Sequence, residues 1–121
     1  LARLGPARTR ALAERMVDTL ADLHALDPDA LGLGDFGRPQ GFLARQVRRW
    51  KQQLDASRSR ELPGIDALHA ALAADPPDGA SAALVHGDYR LDNLLIDAGD
   101  RVAAVVDWEM ATLADPLTDL G

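Results

Sequence analysis

A chain of 121 residues is the size of one domain or part of one, and its 47% hydrophobic content allows a packed core. Nineteen acidic against 13 basic side chains give a formal charge of −6, which argues against a nucleic-acid surface. Cysteine is absent, so disulfides and thiolate metal sites are excluded, and no apolar run reaches the ~18 residues of a membrane span. These features fit a cytoplasmic protein with no membrane partner. The opening "LARLGPARTR" has no apolar signal region and no initiator Met. The chain stops inside "DPLTDLG", so both ends are expected to be cuts.

Pro6 suits the first turn of a helix. Leu12, Met16, Leu20 and Leu23 follow at helical spacing, and the stripe ends near Asp27 and Pro28. "DPDALGLGDFGRPQG" is rich in Gly, Pro and Asp and predicts a loop. A second helix starts between Pro39 and Phe42, with Leu43, Val47, Trp50 and Leu54 inward. Its other face carries Arg45, Arg48, Arg49 and Lys51, a solvated cluster. A third helix covers Ile65 to Ala74 with Leu68 and Leu72 inward, and "ADPPDGAS" stops it. Ala83 to Val85 then predicts a short buried strand. "NLLID" and "RVAAVVDW", joined by "AGD", predict a β-hairpin. "ATLADPLTDLG" is expected to be a loop that opens a helix at its end.

Between strand and hairpin lies "HGDYRLDN", a dense polar stretch flanked by apolar runs. Asp88 and Asn93 would stand roughly 140° apart on a helix, so they converge only in a loop. A hairpin turn at "AGD" brings Asp107 back beside Asn93. Two oxygen donors there, without Cys or a second His, suit a hard cation such as Mg²⁺. Asp88 is placed to take a proton from a substrate hydroxyl. The alternative is that these Asx residues merely cap turns.

"HGDYRLDN" followed by "VVDWE" resembles the aminoglycoside phosphotransferase family, which shares the protein-kinase-like fold. The pattern H-x-D-x-x-x-x-N is the catalytic loop of that superfamily, with a metal-binding Asp on the next strand. "DWE" stands where protein kinases have Asp-Phe-Gly, and "DPLTDLG" and "LADLHALD" also resemble the phosphotransferase branch. "GLGDFGRPQGFLARQVRRW" is similar to the subgroup associated with acyl-CoA dehydrogenases. The resemblance covers nearly the whole chain. It implies an α+β fold: a mainly helical C-terminal lobe with a short strand, catalytic loop and hairpin. Residues 1–121 would be part of that lobe, with the N-terminal ATP-binding lobe and the last helices missing. Lys51, the sole lysine, lies mid-helix, and Gly32, Gly34 and Gly37 have no strand pair around them. Apolar surface between Leu84 and Val106 would then lie exposed.

The resemblance implies ATP-dependent phosphoryl transfer to a small-molecule hydroxyl. Asp88 would be the base, Asn93 and Asp107 the ligands of Mg-ATP, and His86 a scaffold for the loop. Arg90 either neutralises the transferred phosphate or pairs with Asp92 or Asp119. Asp115 and Asp119 either brace the catalytic loop or cap helices. His24 is expected to be a hydrogen-bonded structural residue, and His69 to lie at the surface. The competing readings are a non-catalytic kinase-like module fused to or paired with an acyl-CoA dehydrogenase, and a metal-dependent hydrolase using His86, Asp88 and Asp107.

Overall fold

The computed structural model describes residues 4–77 and 81–120. Helix α1 spans Pro6–His24. Pro6 occupies its first turn, where a missing N–H is harmless. Leu12 and Leu20 are buried two turns apart, with Met16 and Leu23 half-buried, so the predicted stripe is the core face. The Ala25 N–H closes the last turn on the Ala21 carbonyl at 3.0 Å. Turns then carry the chain to Gly41. Asp27 starts them, its Oδ1 accepting the Asp29 N–H at 3.0 Å.

Helices α2 (Phe42–Ser57) and α3 (Ile65–Ala74) each begin after a glycine in the left-handed region, Gly41 and Gly64. They pack on each other, yet neither buries a residue. Leu43, Val47, Leu54 and Ile65 are half-buried along an open apolar groove between them. The inward placement expected for Trp50, Leu68 and Leu72 is corrected: they are 60%, 54% and 51% exposed. Their stripes do line the groove, but among the described residues no third element closes over it. Arg48 and Arg49 are exposed as expected, while Arg45 folds back onto the carbonyls of Arg38 and Gln40 at the start of α2. The part of the "ADPPDGAS" turn at 78–80 lies outside the described residues.

Strand β1 is Ala83–Val85, and all three residues are buried. The polar loop follows, ending in a 3₁₀ turn at Leu91–Asn93. Strands β2 (Leu94–Ile96) and β3 (Val102–Val105) form the predicted hairpin, pairing Leu94 with Val105 and Leu95 with Ala104. At its tip, Asp97 Oδ1 accepts the N–H groups of Gly99 and Arg101 at 2.8 and 2.9 Å.

The segment after the hairpin departs from the expected loop. It forms strand β4 (Thr112–Ala114), antiparallel to β1, with Ala83 opposite Ala114 and Val85 opposite Thr112. A 3₁₀ helix, Pro116–Leu120, follows. Three residues are too few to show an alternation, and this pairing is tertiary. Gly37 crosses β4 so closely that a Cβ there would lie 2.4 Å from Thr112 Oγ1 and 2.6 Å from the Leu113 nitrogen. Helix α1 packs on β1 and β3, joining Leu12, Leu20, Leu84, Val85, Leu94 and Leu113 in the core. Each buried leucine contributes roughly 2 kcal/mol. With β4 and α1 in place, the expected exposure of Leu84–Val106 is only partly met. Leu84, Val85 and Leu94 are buried, while Leu95 and Val106 remain open.

Candidate active site

The loop hangs from β1 by His86, which is fully buried. Its Nε2 lies 2.9 Å from the Val106 carbonyl, and its Nδ1 takes the Asp88 N–H at 3.3 Å. One tautomer, protonated on Nε2, satisfies both. The Trp108 ring packs against the imidazole at a centroid distance of 4.8 Å. His86 therefore joins the end of β3 to the start of the loop, as a scaffold residue should. Both ring nitrogens are occupied, so it is not available as a metal ligand.

Gly87 follows at φ 84°. A Cβ on it would lie 2.6 Å from the Met110 carbonyl oxygen and 3.0 Å from Met110 Cβ. Only glycine suits both the dihedral and the space. Asp88 is next, half-buried. The buried Asn93 donates its Nδ2 to the Asp88 carbonyl at 2.9 Å and to Asp88 Oδ2 at 3.0 Å. The 3₁₀ turn makes this reach possible, closed by the Asn93 N–H on the Arg90 carbonyl at 3.0 Å. The convergence of Asp88 and Asn93 that the sequence requires is thus achieved.

The Val106 N–H donates to the Asn93 carbonyl at 3.0 Å, extending the hairpin ladder. Asp107 stands one residue further, at φ 67°, an uncommon region for a residue with a side chain. Its carboxylate caps nothing, and the Asn93 amide nitrogen is turned to Asp88. The Asn93 Oδ1 and the Asp107 carboxylate, on adjacent strand ends, are left without intramolecular donors among the described residues. That donor set fits a hard divalent cation. Among the described residues, no cluster of three or more His, Asp or Glu could hold a metal. The occupied imidazole does not supply the His86 ligand that the hydrolase reading calls for.

Arg90 is exposed and pairs with the Asp92 carboxylate. Asp92 is the main cause of its raised pKa, with the Asp88 charge a smaller one. Tyr89, whose role the sequence reading missed, points the other way. Its hydroxyl donates to the Met16 carbonyl of α1 at 2.8 Å. Burial pushes the phenol's pKa up. The one available signal was an aromatic inside an otherwise polar motif. Asp119 braces the loop: Oδ2 accepts the His86 N–H at 2.9 Å and Oδ1 the Gly87 N–H at 2.7 Å. His24 also reaches Asp119 Oδ2, at 2.9 Å. Asp115 instead caps the final 3₁₀ helix through the Leu117 N–H at 2.9 Å.

The family model of the phosphotransferase enzyme family matches residues 1–121. The chain belongs to this family. Among phosphotransferase structures, a Ralstonia eutropha JMP134 protein assigned to the aminoglycoside phosphotransferases superposes with a TM-score of 0.92 at 38% identity. The match covers 99% of this chain and 37% of that one. A macrolide 2'-phosphotransferase type I superposes at 0.72 with 26% identity, over 90% of this chain and 36% of its own. The α+β, kinase-like fold is therefore that of phosphotransferases. Acyl-CoA dehydrogenase family member 11 of Gallus gallus is 43% identical over 122 residues, 99% of this chain and 16% of that protein. Family member 10 of Mus musculus is 36% identical, over 97% of this chain and 11% of its own length. The chain thus spans about a sixth or less of these curated relatives. Among the described residues, no helix is long and apolar enough to cross a membrane.

Proposed function

We propose that the full polypeptide is an ATP-dependent phosphotransferase that moves the γ-phosphate of Mg-ATP to the hydroxyl of a small molecule. The observation that carries this reading is the Asp88–Asn93 clamp set beside Asp107. Asn93 holds one carboxylate oxygen of Asp88, which orients the other for an incoming hydroxyl. Asp88 takes the hydroxyl proton as the oxygen attacks the γ-phosphorus, the bond to the β–γ bridging oxygen breaks and ADP leaves. Asn93 Oδ1 and the Asp107 carboxylate would hold Mg²⁺. That ion, when bound, neutralises phosphate charge. Arg90 can exchange Asp92 for the transferred phosphate, because the pair it now makes is exposed. Positioning and charge neutralisation do most of the work in this chemistry, so a loop of acids and an amide suffices.

Residues 1–121 would form part of the C-terminal lobe, in one polypeptide with an acyl-CoA dehydrogenase. The small shares of the acyl-CoA dehydrogenase relatives that the chain covers support this. The resemblance to the acyl-CoA-dehydrogenase-associated subgroup is what suggests a hydroxyacyl acceptor. A kinase-like module without transfer activity is the other reading, and the intact Asp88, Asn93 and Asp107 set weighs against it. Asp88→Asn keeps the shape and removes the base. It should lower kcat by about 10²-fold or more, with the KM for ATP nearly unchanged. The assay is Mg-ATP consumption by the full polypeptide across a panel of small hydroxylated acceptors, hydroxyacyl compounds included. A folded Asp88→Asn protein with native turnover would exclude Asp88 as the base.

A further inference from the structure

We infer that Tyr89 is a positioning residue for the Asp88 carboxylate, its hydroxyl tying the far side of the polar loop to helix α1. This rests on the reading of Asp88 as the base. Tyr89 follows Asp88 directly and turns its ring inward, edge-on to the buried His86 imidazole at a centroid distance of 6.0 Å. Its hydroxyl donates to the Met16 carbonyl at 2.8 Å, 73 residues away in sequence. A carbonyl inside a helix has a second lone pair for such a donor. Met16 lies on the core stripe of α1, one turn from each of the buried Leu12 and Leu20. The tie therefore ends on a part of the helix that packing already holds. Burial pushes the phenol's pKa up, so the group stays a donor at neutral pH and above.

Asn93 serves a different purpose. It donates to the Asp88 carbonyl at 2.9 Å and to Asp88 Oδ2 at 3.0 Å, so it fixes the carboxylate relative to the loop's own backbone. Where that backbone lies needs a reference outside the loop. Arg90 pairs only with Asp92 among the described residues, and both are exposed. From residue 89 to 93, Tyr89 has the one side chain hydrogen-bonded outside the loop among the described residues. On the near side of Asp88 stands Gly87, which has no side chain to hold the backbone. Removing the phenol hydroxyl keeps the ring and the Asn93 clamp and releases the residue next to the carboxylate. Small shifts of a proton acceptor lower rate more than nucleotide binding, because hydroxyl and carboxylate must meet within hydrogen-bond reach.

The test uses the full polypeptide and reads ADP release from Mg-ATP across the panel of hydroxylated acceptors. Tyr89→Phe keeps the ring and removes only the donor. It should lower kcat about tenfold, less than the ~10²-fold that a 1 Å misplacement can bring, with the KM for ATP unchanged. Tyr89→4-aminophenylalanine keeps an N–H donor at the same reach and should restore most of the loss. Tyr89→4-methylphenylalanine matches the bulk without a donor and should not. Amide exchange in the peptide holding Asp88 and Tyr89 should rise in the two variants without a donor, at matched Tm. If Tyr89→Phe does not accumulate as folded protein, the amino and methyl variants decide the point. Native kcat in the variants without a donor, or equal losses with and without it, overturns the inference. Asp88→Asn is assayed alongside. If it abolishes turnover and Tyr89→Phe leaves turnover native, only the role of Tyr89 falls. If Asp88→Asn leaves turnover intact, the base assignment falls and this inference with it.

Discussion

Gly87 sets the tolerance of the loop at the scale of single residues. Alanine there would occupy a left-handed conformation and press its Cβ to 2.6 Å from a backbone oxygen. Strain and overlap together should cost more than about 2 kcal/mol. Chemical denaturation of Gly87→Ala measures this, and native stability would mean that the Met110 segment yields freely. Arg90 poses a different question, since its pairing with Asp92 is a surface contact of little energetic worth. If Arg90 neutralises the transferred phosphate, Arg90→Ala lowers kcat about tenfold or more and leaves the acceptor KM nearly unchanged. A native kcat would assign Arg90 to the surface pair alone. The residues named from sequence were those whose chemistry demands a type at a spacing: His86, Asp88, Asn93 and Asp107. The ties of Tyr89 to Met16 and of His24 to Asp119 were not legible. Their partners lie 73 and 95 residues away, and no local pattern encodes such distances.

Among the elements, α1 does more than bury its leucines. Arg8 forms two hydrogen bonds to the Asp100 carboxylate, at 2.6 and 2.7 Å. Arg15 donates to the carbonyls of Gly99 and Asp100 at 3.0 and 2.6 Å. The helix therefore holds the hairpin tip at one end and the polar loop at the other. The apolar spacing made α1 plain in the sequence, and its polar anchors became visible only with the tip in place. β4 shows the opposite limit, a strand three residues long whose existence depends on β1. The hairpin tip should be the acid-sensitive part. The Asp97 carboxyl is held below its ordinary pKa by the Arg101 N–H and guanidinium, and Asp100 by the Arg8 guanidinium. A carboxyl whose pKa is lowered on folding contributes stability above its unfolded value. It loses that contribution as pH falls through the folded one. Both groups are half-buried but still reached by water, so the effect is modest. Tm should hold steady from pH 7 to about 5 and fall below about 4, with a shallower acid slope in Asp97→Asn and Asp100→Asn. Thermal melts across pH check this, and an unchanged slope in both variants would place the acid sensitivity elsewhere.

Over the whole molecule, the described surfaces are unevenly finished. β1, β4 and α1 share a closed core, whereas α2 and α3 bury nothing and leave an apolar groove open. Leu95, Trp108 and Met110 are also exposed, at 55%, 40% and 52%, on the hairpin and just beyond Asp107. The chain aligns with only 37% of a phosphotransferase structure that it matches at a TM-score of 0.92. Nucleotide binding in kinase-like folds needs a Gly-rich strand pair over the phosphates and a lysine on a strand beside them. Lys51 is the only lysine in the sequence, and it lies on α2, bound to Asp55 at 2.6 Å and to Asp66 at 3.4 Å. The strands described here are three or four residues long and serve the core and the hairpin. On the proposed reading the polar loop would supply one side of a phosphate site, and the described residues include no strand lysine or Gly-rich strand pair to grip the nucleotide from above. We expect residues 1–121 alone to show no phosphoryl transfer and no Mg-ATP binding at micromolar concentration, while the full polypeptide binds. Calorimetric titration of both with Mg-ATP decides the point. Micromolar binding by the 121-residue chain would mean that its own residues complete the nucleotide site.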